Sequence, residues 1–325
     1  MTTMSGLGAI LVVTVPFFAL VLAGYVAGWR HVLPESAIPG LNAFVLYFAL
    51  PCMLFRFGLA TPLAQALNPA VLGVYLACAL AMVLVVIAFS LDEVVGLKDA
   101  SFGALVAAFP NSGFMGVPLL AALFGPAIVG PMIATLLIDM FVTSSLCIAL
   151  AQAGGTAGGA RTAALRSLHG AVSNPLPWAI ALGATLGAFG WQPAGPVDTV
   201  IKMLADAATP VALFTIGAVL WRAGQHAHTR TAPRRYVPQA LAKLLLHPAL
   251  VFATSVVARG AGAALTDLQV MAITLTAALP SAANVAMLAE RYGADNGRIA
   301  RIIMVSTTAS FVTFTSLAAW FGARA

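Results

Sequence analysis

Apolar residues in this chain come in long blocks rather than alternating with polar ones. Residues 8–29 carry no charge, and neither do residues 100–138. A helix that crosses a bilayer takes about 20 apolar residues, and uninterrupted apolar blocks of that length point to such helices rather than to strands. The pattern predicts spans at 8–29, 37–55, 69–91, 100–124 and 126–150. A stretch rich in Gly, Ala and Thr follows, AQAGGTAGGARTAALRSLHG, and reads as a flexible linker. The pattern then restarts, with spans at 171–189, 199–221, 237–258, 267–290 and 299–321. The expectation is an all-α integral membrane protein of ten transmembrane helices: residues 1–150, a linker at 151–170, and residues 171–325.

The two sets of five share landmarks. Trp29 follows the first span and Trp191 the sixth; LPCMLF in the second answers TPVALF in the seventh. AAFPNSGF in the fourth answers AALPSAAN in the ninth, and each of these spans ends near a glycine, Gly125 or Gly293. Five is odd, so the second set enters the membrane from the opposite side. That is an inverted repeat, a plan common among secondary transporters.

Composition agrees with the pattern. The chain is 61% hydrophobic and 8% charged, whereas a soluble domain carries about 25% charged residues. The net charge of +6 does not indicate nucleic acid, because the basic residues sit in short loops. With loops numbered alternately, eleven Lys and Arg fall on one side (Arg30, Lys98, Arg161, Arg166, Arg222, Arg230, Arg234, Arg235, Arg291, Arg298, Arg301). Four fall on the other (Arg56, Lys202, Arg259, Arg324). The positive-inside rule makes the richer side, with the linker, cytoplasmic and both termini external. The first block has no basic lead and no small-residue cleavage site after it, so it reads as a retained helix. Cys52, Cys78 and Cys147 lie in apolar segments and read as packed thiols, with no disulfide or metal framework.

The sharpest feature is FPNSGFMGVPLL, at 109–120, inside the fourth span. Pro110 removes a backbone donor and clashes with the preceding turn, while Gly113 and Gly116 tolerate unwound backbone. Freed backbone groups at membrane depth must find partners or line a water-filled cavity. Two spans broken at matching places, at Pro110 and Pro280, imply a cavity near the midplane. A helix restarting there presents free N–H groups and a partial positive charge to a small anion. Asn111, Ser112, Ser281 and Asn284 add amides and hydroxyls, a set suited to a carboxylate. The alternative is that PNSG is only a kink whose asparagines cap helix ends.

FPNSGFMGVPLL resembles the fourth-helix signature of the auxin efflux carrier family, an asparagine followed by Gly-x-x-Gly-x-Pro-Leu. ALPSAANVAMLAERYG resembles its ninth-helix counterpart, LYFALPCMLF its second-helix proline segment, and SNPLPWAIALGATLG the Asn-Pro start of its sixth helix. The resemblance spans essentially the whole chain. It implies two inverted five-helix repeats in which interrupted helices four and nine cross in a transport domain. Helices one, two, six and seven would form a scaffold, often at a homodimer interface. It also implies organic-anion transport, of auxin in plants and of malonate and other carboxylates in bacteria. The matching site residues are Pro110, Asn111 and Gly113 in the first crossover, and Pro280 and Asn284 in the second. The short linker departs from the long loop of many plant members and favours a bacterial-type carrier in the inner membrane.

Other polar residues inside the blocks are few. Asp139 in the fifth span is a candidate for proton or sodium coupling, or a structural contact. Asp206 lies four residues after Lys202 in the seventh span, so the two can pair, and Asp206 is a second coupling candidate. Lys243 is expected to snorkel to the cytoplasmic surface, and His247 beside Pro248 to mark a kink. The leading reading is therefore a non-enzymatic secondary carrier of small organic anions working by alternating access, surrounded by lipid and free of cofactors. The alternative is a sodium- or proton-coupled symporter of a larger anion in the manner of bile acid symporters. No zinc-protease motif, nucleophile–base pair or nucleotide-binding loop is present in the sequence.

Overall fold

A computed structural model of the chain describes residues 6–61, 67–153, 165, 172–225 and 231–322. Among them the regular structure is helical, apart from one isolated β-bridge. The helices are α1 (Gly6–Trp29), α2 (Ala37–Ala60), α3 (Pro69–Ser90), α4 (Leu97–Ala108), α5 (Ser112–Phe124) and α6 (Pro126–Gln152). They continue as α7 (Pro175–Ala188), α8 (Gly195–Gln225), α9 (Val237–Gly260), α10 (Asp267–Ala278), α11 (Asn284–Arg291) and α12 (Asn296–Gly322). Seven of the described helices are long and apolar enough to cross a membrane: α1, α2, α3, α6, α8, α9 and α12. The predicted fourth and ninth spans are each two short helices, and α7 has only 14 residues. The predicted linker lies almost wholly outside the described residues, as do the histidines at 226 and 228.

Local chemistry sets the helix ends. Asn68 and Asn174 accept N–H groups from the first turns of α3 and α7, each with a proline at the first helical position. Thr266 and Gln269 form a reciprocal capping box at the start of α10.

Helices in lipid gain little from apolar contact with one another, so small residues that let backbones approach carry much of the packing. Two helix pairs are built this way. Between α1 and α8, a Cβ on Gly24 would stand 1.9 Å from the Phe214 carbonyl oxygen, and one on Gly217 would stand 1.9 Å from that of Val21. Between α2 and α7, a Cβ on Gly183 would lie 2.2 Å from the Phe55 oxygen, and one on Gly58 would lie 2.6 Å from that of Ile180. In both pairs each helix seats its glycine on its partner's backbone.

The rest of the molecule wraps α4 and α10. Every residue of α4 from Ala100 to Ala108 is buried, as is every residue of α10 from Val270 to Ala278. One end is tied by polar contacts. The Asp295 N–H donates to Asp99 Oδ1 at 2.8 Å, and the Arg298 guanidinium donates to the Arg235 carbonyl at 2.9 Å. Asp92 sits in the loop after α3 beside Arg235. The backbone N–H groups of Val95 and Val94 hold its carboxyl below the usual carboxylate range.

Candidate functional site at two broken helices

A residue before proline is pushed out of the helical region. Phe109 and Leu279 both adopt extended backbone, and α4 and α10 end there. The two broken stretches then pair with each other. Asn111 N–H donates to the Pro280 carbonyl at 2.8 Å, and Ala282 N–H donates to the Phe109 carbonyl at 3.0 Å. This antiparallel bridge, centred on Pro110 and Ser281, satisfies backbone groups that both breaks would otherwise leave bare. The Ser281 N–H is taken by the Ser306 hydroxyl of α12 at 3.2 Å.

Past the bridge the chain recoils into α5 and α11. The first turn of α5, Ser112–Gly116, is a wide π turn, in which the Met115 and Gly116 N–H groups both reach the Asn111 carbonyl. Among the described residues, no acceptor is found for the N–H groups of Gly113 and Phe114, or for those of Ala283 and Asn284. These are the third and fourth residues after Pro110 and Pro280, so the two breaks present the same pair of free donors. Neither asparagine caps a helix: no side-chain cap is made at the start of α5 or of α11. Counted from the prolines, Asn111 corresponds to Ser281, and Asn284 to Phe114.

The predicted residues Pro110, Asn111, Ser112, Gly113, Pro280, Ser281 and Asn284 therefore meet at one crossing. Asn111, Ser112 and Ser281 are buried, and Ser281 Oγ has no hydrogen-bond partner among the described residues. A Cβ on Gly113 would meet nothing within 4 Å, which marks open space beside the free donors. Asn284 is half-buried and lines a cleft with Phe114, Ala283 and Met287, facing Asn42 of α2 and Thr215, Ile216 and Val219 of α8. The cleft offers about 20 Å³, enough for one water and too little for a dicarboxylate. The Asn42 amide reaches Met287 Sδ across it at 3.3 Å.

The other predicted polar residues divide. Asp206 and Lys202 are exposed on α8, and no ion pair joins them among the described residues. Asp139 is fully buried at the start of a π turn in α6, Asp139–Thr143. It accepts from the Tyr75 hydroxyl at 2.9 Å and from the Thr143 hydroxyl at 3.2 Å. Lys243 does not snorkel. Its side chain is fully buried, with Nζ 2.5 Å from the Ala277 carbonyl and 3.3 Å from His247 Nδ1. A π turn at Ala242–Leu246 turns it inward, and His247, fully buried, lies with its ring 5.8 Å from that of Tyr75. Sequence reasoning missed Tyr75, Lys243 and His247 as one cluster. The available signal was the spacing of Lys243 and His247, four residues apart and so on one helix face.

Comparison with known proteins agrees with this architecture. The family model described as "Membrane transport protein" matches residues 9–158 and 160–318. A protein of Rhizobium meliloti (strain 1021) described as "Putative malonate transporter" is 27% identical over 315 residues, 93% of this chain and 92% of its own length. An "Uncharacterized transporter" of Methanothermobacter thermautotrophicus is 28% identical over 304 residues, covering 90% and 92%. The "Uncharacterized transporter YfdV" of Escherichia coli (strain K12) is 24% identical over 286 residues, covering 85% and 86%. With the family model matched along nearly its whole length, a body of apolar helices and two helices broken at proline, this chain belongs to the auxin efflux carrier-like family of membrane transport proteins.

Proposed function

We propose that this protein is a secondary carrier of small organic anions, carboxylates of the size of malonate, working by alternating access. The observation that carries the reading is the crossing of the two broken helices. Each break leaves two backbone N–H groups without an acceptor among the described residues, and a bound anion is the partner that helix starts of this kind accept best. Asn111, Ser112, Ser281 and Asn284 supply neutral polar groups around it. Such a site selects negative charge without burying a fixed cation, whose desolvation would be costly. The name of the Rhizobium relative favours a dicarboxylate.

The cleft between α11 and the α2/α8 face supports a moving part. It is closed to a dicarboxylate in this conformation, so binding requires α2 and α8 to separate from the crossing. The glycine-seated pairs, α1 with α8 and α2 with α7, serve as the fixed frame. With α4 and α5 as one interrupted span and α10 and α11 as another, the chain has ten spans in two inverted sets of five. Both termini lie outside a bacterial inner membrane. The matched pairings, first span with seventh (α1 with α8) and sixth span with second (α7 with α2), are what such a repeat requires.

Uptake of labelled malonate into proteoliposomes tests the site. Asn284→Ala and Asn111→Ala are each expected to lower uptake by roughly tenfold or more, the loss of a hydrogen bond to a charged group, with melting profiles unchanged. Wild-type uptake by both variants would sink the site; no carboxylate uptake by the unaltered protein would sink the function.

A further inference from the structure

Among the described residues, Asp139, Lys243 and His247 are fully buried outside the crossing, and so is Tyr75 beside them. Burying a charge is expensive unless it is paired and hydrogen-bonded, and a functional role is the default reading of such groups at membrane depth. Here the groups are hydrogen-bonded but incompletely compensated. Asp139 has the Tyr75 and Thr143 hydroxyls and no direct ion pair among the described residues. Lys243 has a carbonyl and an imidazole, and His247 Nε2 has no partner among the described residues. A carboxylate and an ammonium, buried close together without direct contact, change the net charge of the cluster whenever one proton arrives or leaves.

The cluster is connected to the crossing by one contact. In an intact helix the Ala277 carbonyl would accept the N–H of Ser281, four residues on. That N–H goes to Ser306 instead, because the break redirects it. The Lys243 ammonium takes the vacated place at 2.5 Å. A cation there also faces the negative end of the α10 dipole. The grip of Lys243 on the break therefore depends on its charge. A negative ligand arriving at the crossing favours the more positive state of the cluster.

Resting on the carrier function proposed above, we propose that Asp139, Tyr75, His247 and Lys243 form its proton-binding site, coupled to the anion site through the Lys243–Ala277 contact. One proton enters from water as the anion binds, forming a single O–H or N–H bond within the cluster. It returns to water on the other side as the anion leaves, so anion and proton travel together. The titratable groups of the surrounding helices are few. Tyr75 and Cys78 belong to α3, Asp139 and Cys147 to α6, and Lys243, His247 and the distant Arg259 to α9. α4 and α12 bring charges only in their opening turns (Lys98, Asp99, Arg298, Arg301), and α10 only Asp267, which pairs with Arg259.

Calorimetry of malonate binding to the purified protein, in buffers of different ionisation heat, counts the protons taken up. It is run at a pH where malonate itself is fully ionised. The unaltered protein is expected to take up about one proton per malonate, with affinity rising about tenfold per pH unit of acidification across the linked range. Asp139→Asn is expected to bind malonate without proton uptake and with affinity independent of pH. Tyr75→Phe, which keeps the ring, is expected to shift the pH range in which uptake occurs and serves if the aspartate variant does not fold. Malonate binding without proton uptake by the unaltered protein would overturn the coupling site and leave the carrier function standing. So would uptake that persists in Asp139→Asn, or that is unmoved in Tyr75→Phe, or binding that follows sodium in place of pH. If the unaltered protein binds no carboxylate, the function itself fails.

Discussion

Ser306 lies on α12, 25 residues after Ser281, yet its hydroxyl accepts the Ser281 N–H inside the break. Leaving a buried donor without a partner costs about 1–3 kcal/mol. Ser306→Ala is therefore expected to lower the stability of the purified protein by roughly that amount, read as a drop in melting temperature in detergent. Ser310→Ala is the control, because among the described residues the Ser310 hydroxyl bonds back to Thr307 of its own helix, and it is expected to melt close to the unaltered protein. At this scale the prolines and glycines of the breaks were legible, since each has a fixed backbone consequence. Lys243 was not. A long side chain near a helix end can run outward or inward with equal ease, and its direction here is set by a π turn that no residue type announces. Tyr75 was equally silent, being a single tyrosine inside an otherwise apolar stretch of α3.

Among the elements, the proposed frame depends on helices whose backbones touch. Adding one methyl at Gly217 would place it 1.9 Å from the Val21 carbonyl oxygen, so α1 and α8 would have to separate. Overpacking of this kind costs about 1–3 kcal/mol, and Gly217→Ala is expected to show it as a lower melting temperature. Gly73→Ala on α3, where a methyl meets nothing within 4 Å, is expected to leave the melting temperature unchanged. The sequence holds 29 glycines, and nothing in their flanking residues separates Gly217 from Gly73; only the neighbouring helix does. The broken spans were legible as elements because Pro110 and Pro280 are each followed by small and polar residues that tolerate unwound backbone, unlike Pro16 and Pro210, which lie inside continuous helices. That the two breaks bond to each other was not, because a backbone bridge between Pro110 and Ser281 leaves no mark on side-chain choice.

For the whole molecule, the proposed topology places the loop after α3 inside and the turn after α9 outside. In a background with Cys52, Cys78 and Cys147 replaced, a cysteine at exposed Ala261 is expected to react with an impermeant maleimide in intact cells. One at exposed Glu93 is expected to react only after the cells are opened. Labelling in the opposite order would invert the topology, and equal labelling of both would refute it. The all-helical, membrane-embedded character was legible from apolar block length alone. The close seating of α1 on α8 and of α2 on α7 was not, because block length does not say which helices touch.

The bridge between the breaks has a consequence for how the protein is made. The first broken segment leaves the ribosome about 170 residues before the second. Until the second arrives, the Asn111 N–H and the Phe109 carbonyl lack the partners they have in the folded protein, and at membrane depth each bare group costs several kcal/mol. The first half thus enters the membrane with an open wound that only the second half can close, and newborn chains stalled after the linker should be prime substrates for membrane quality-control proteases.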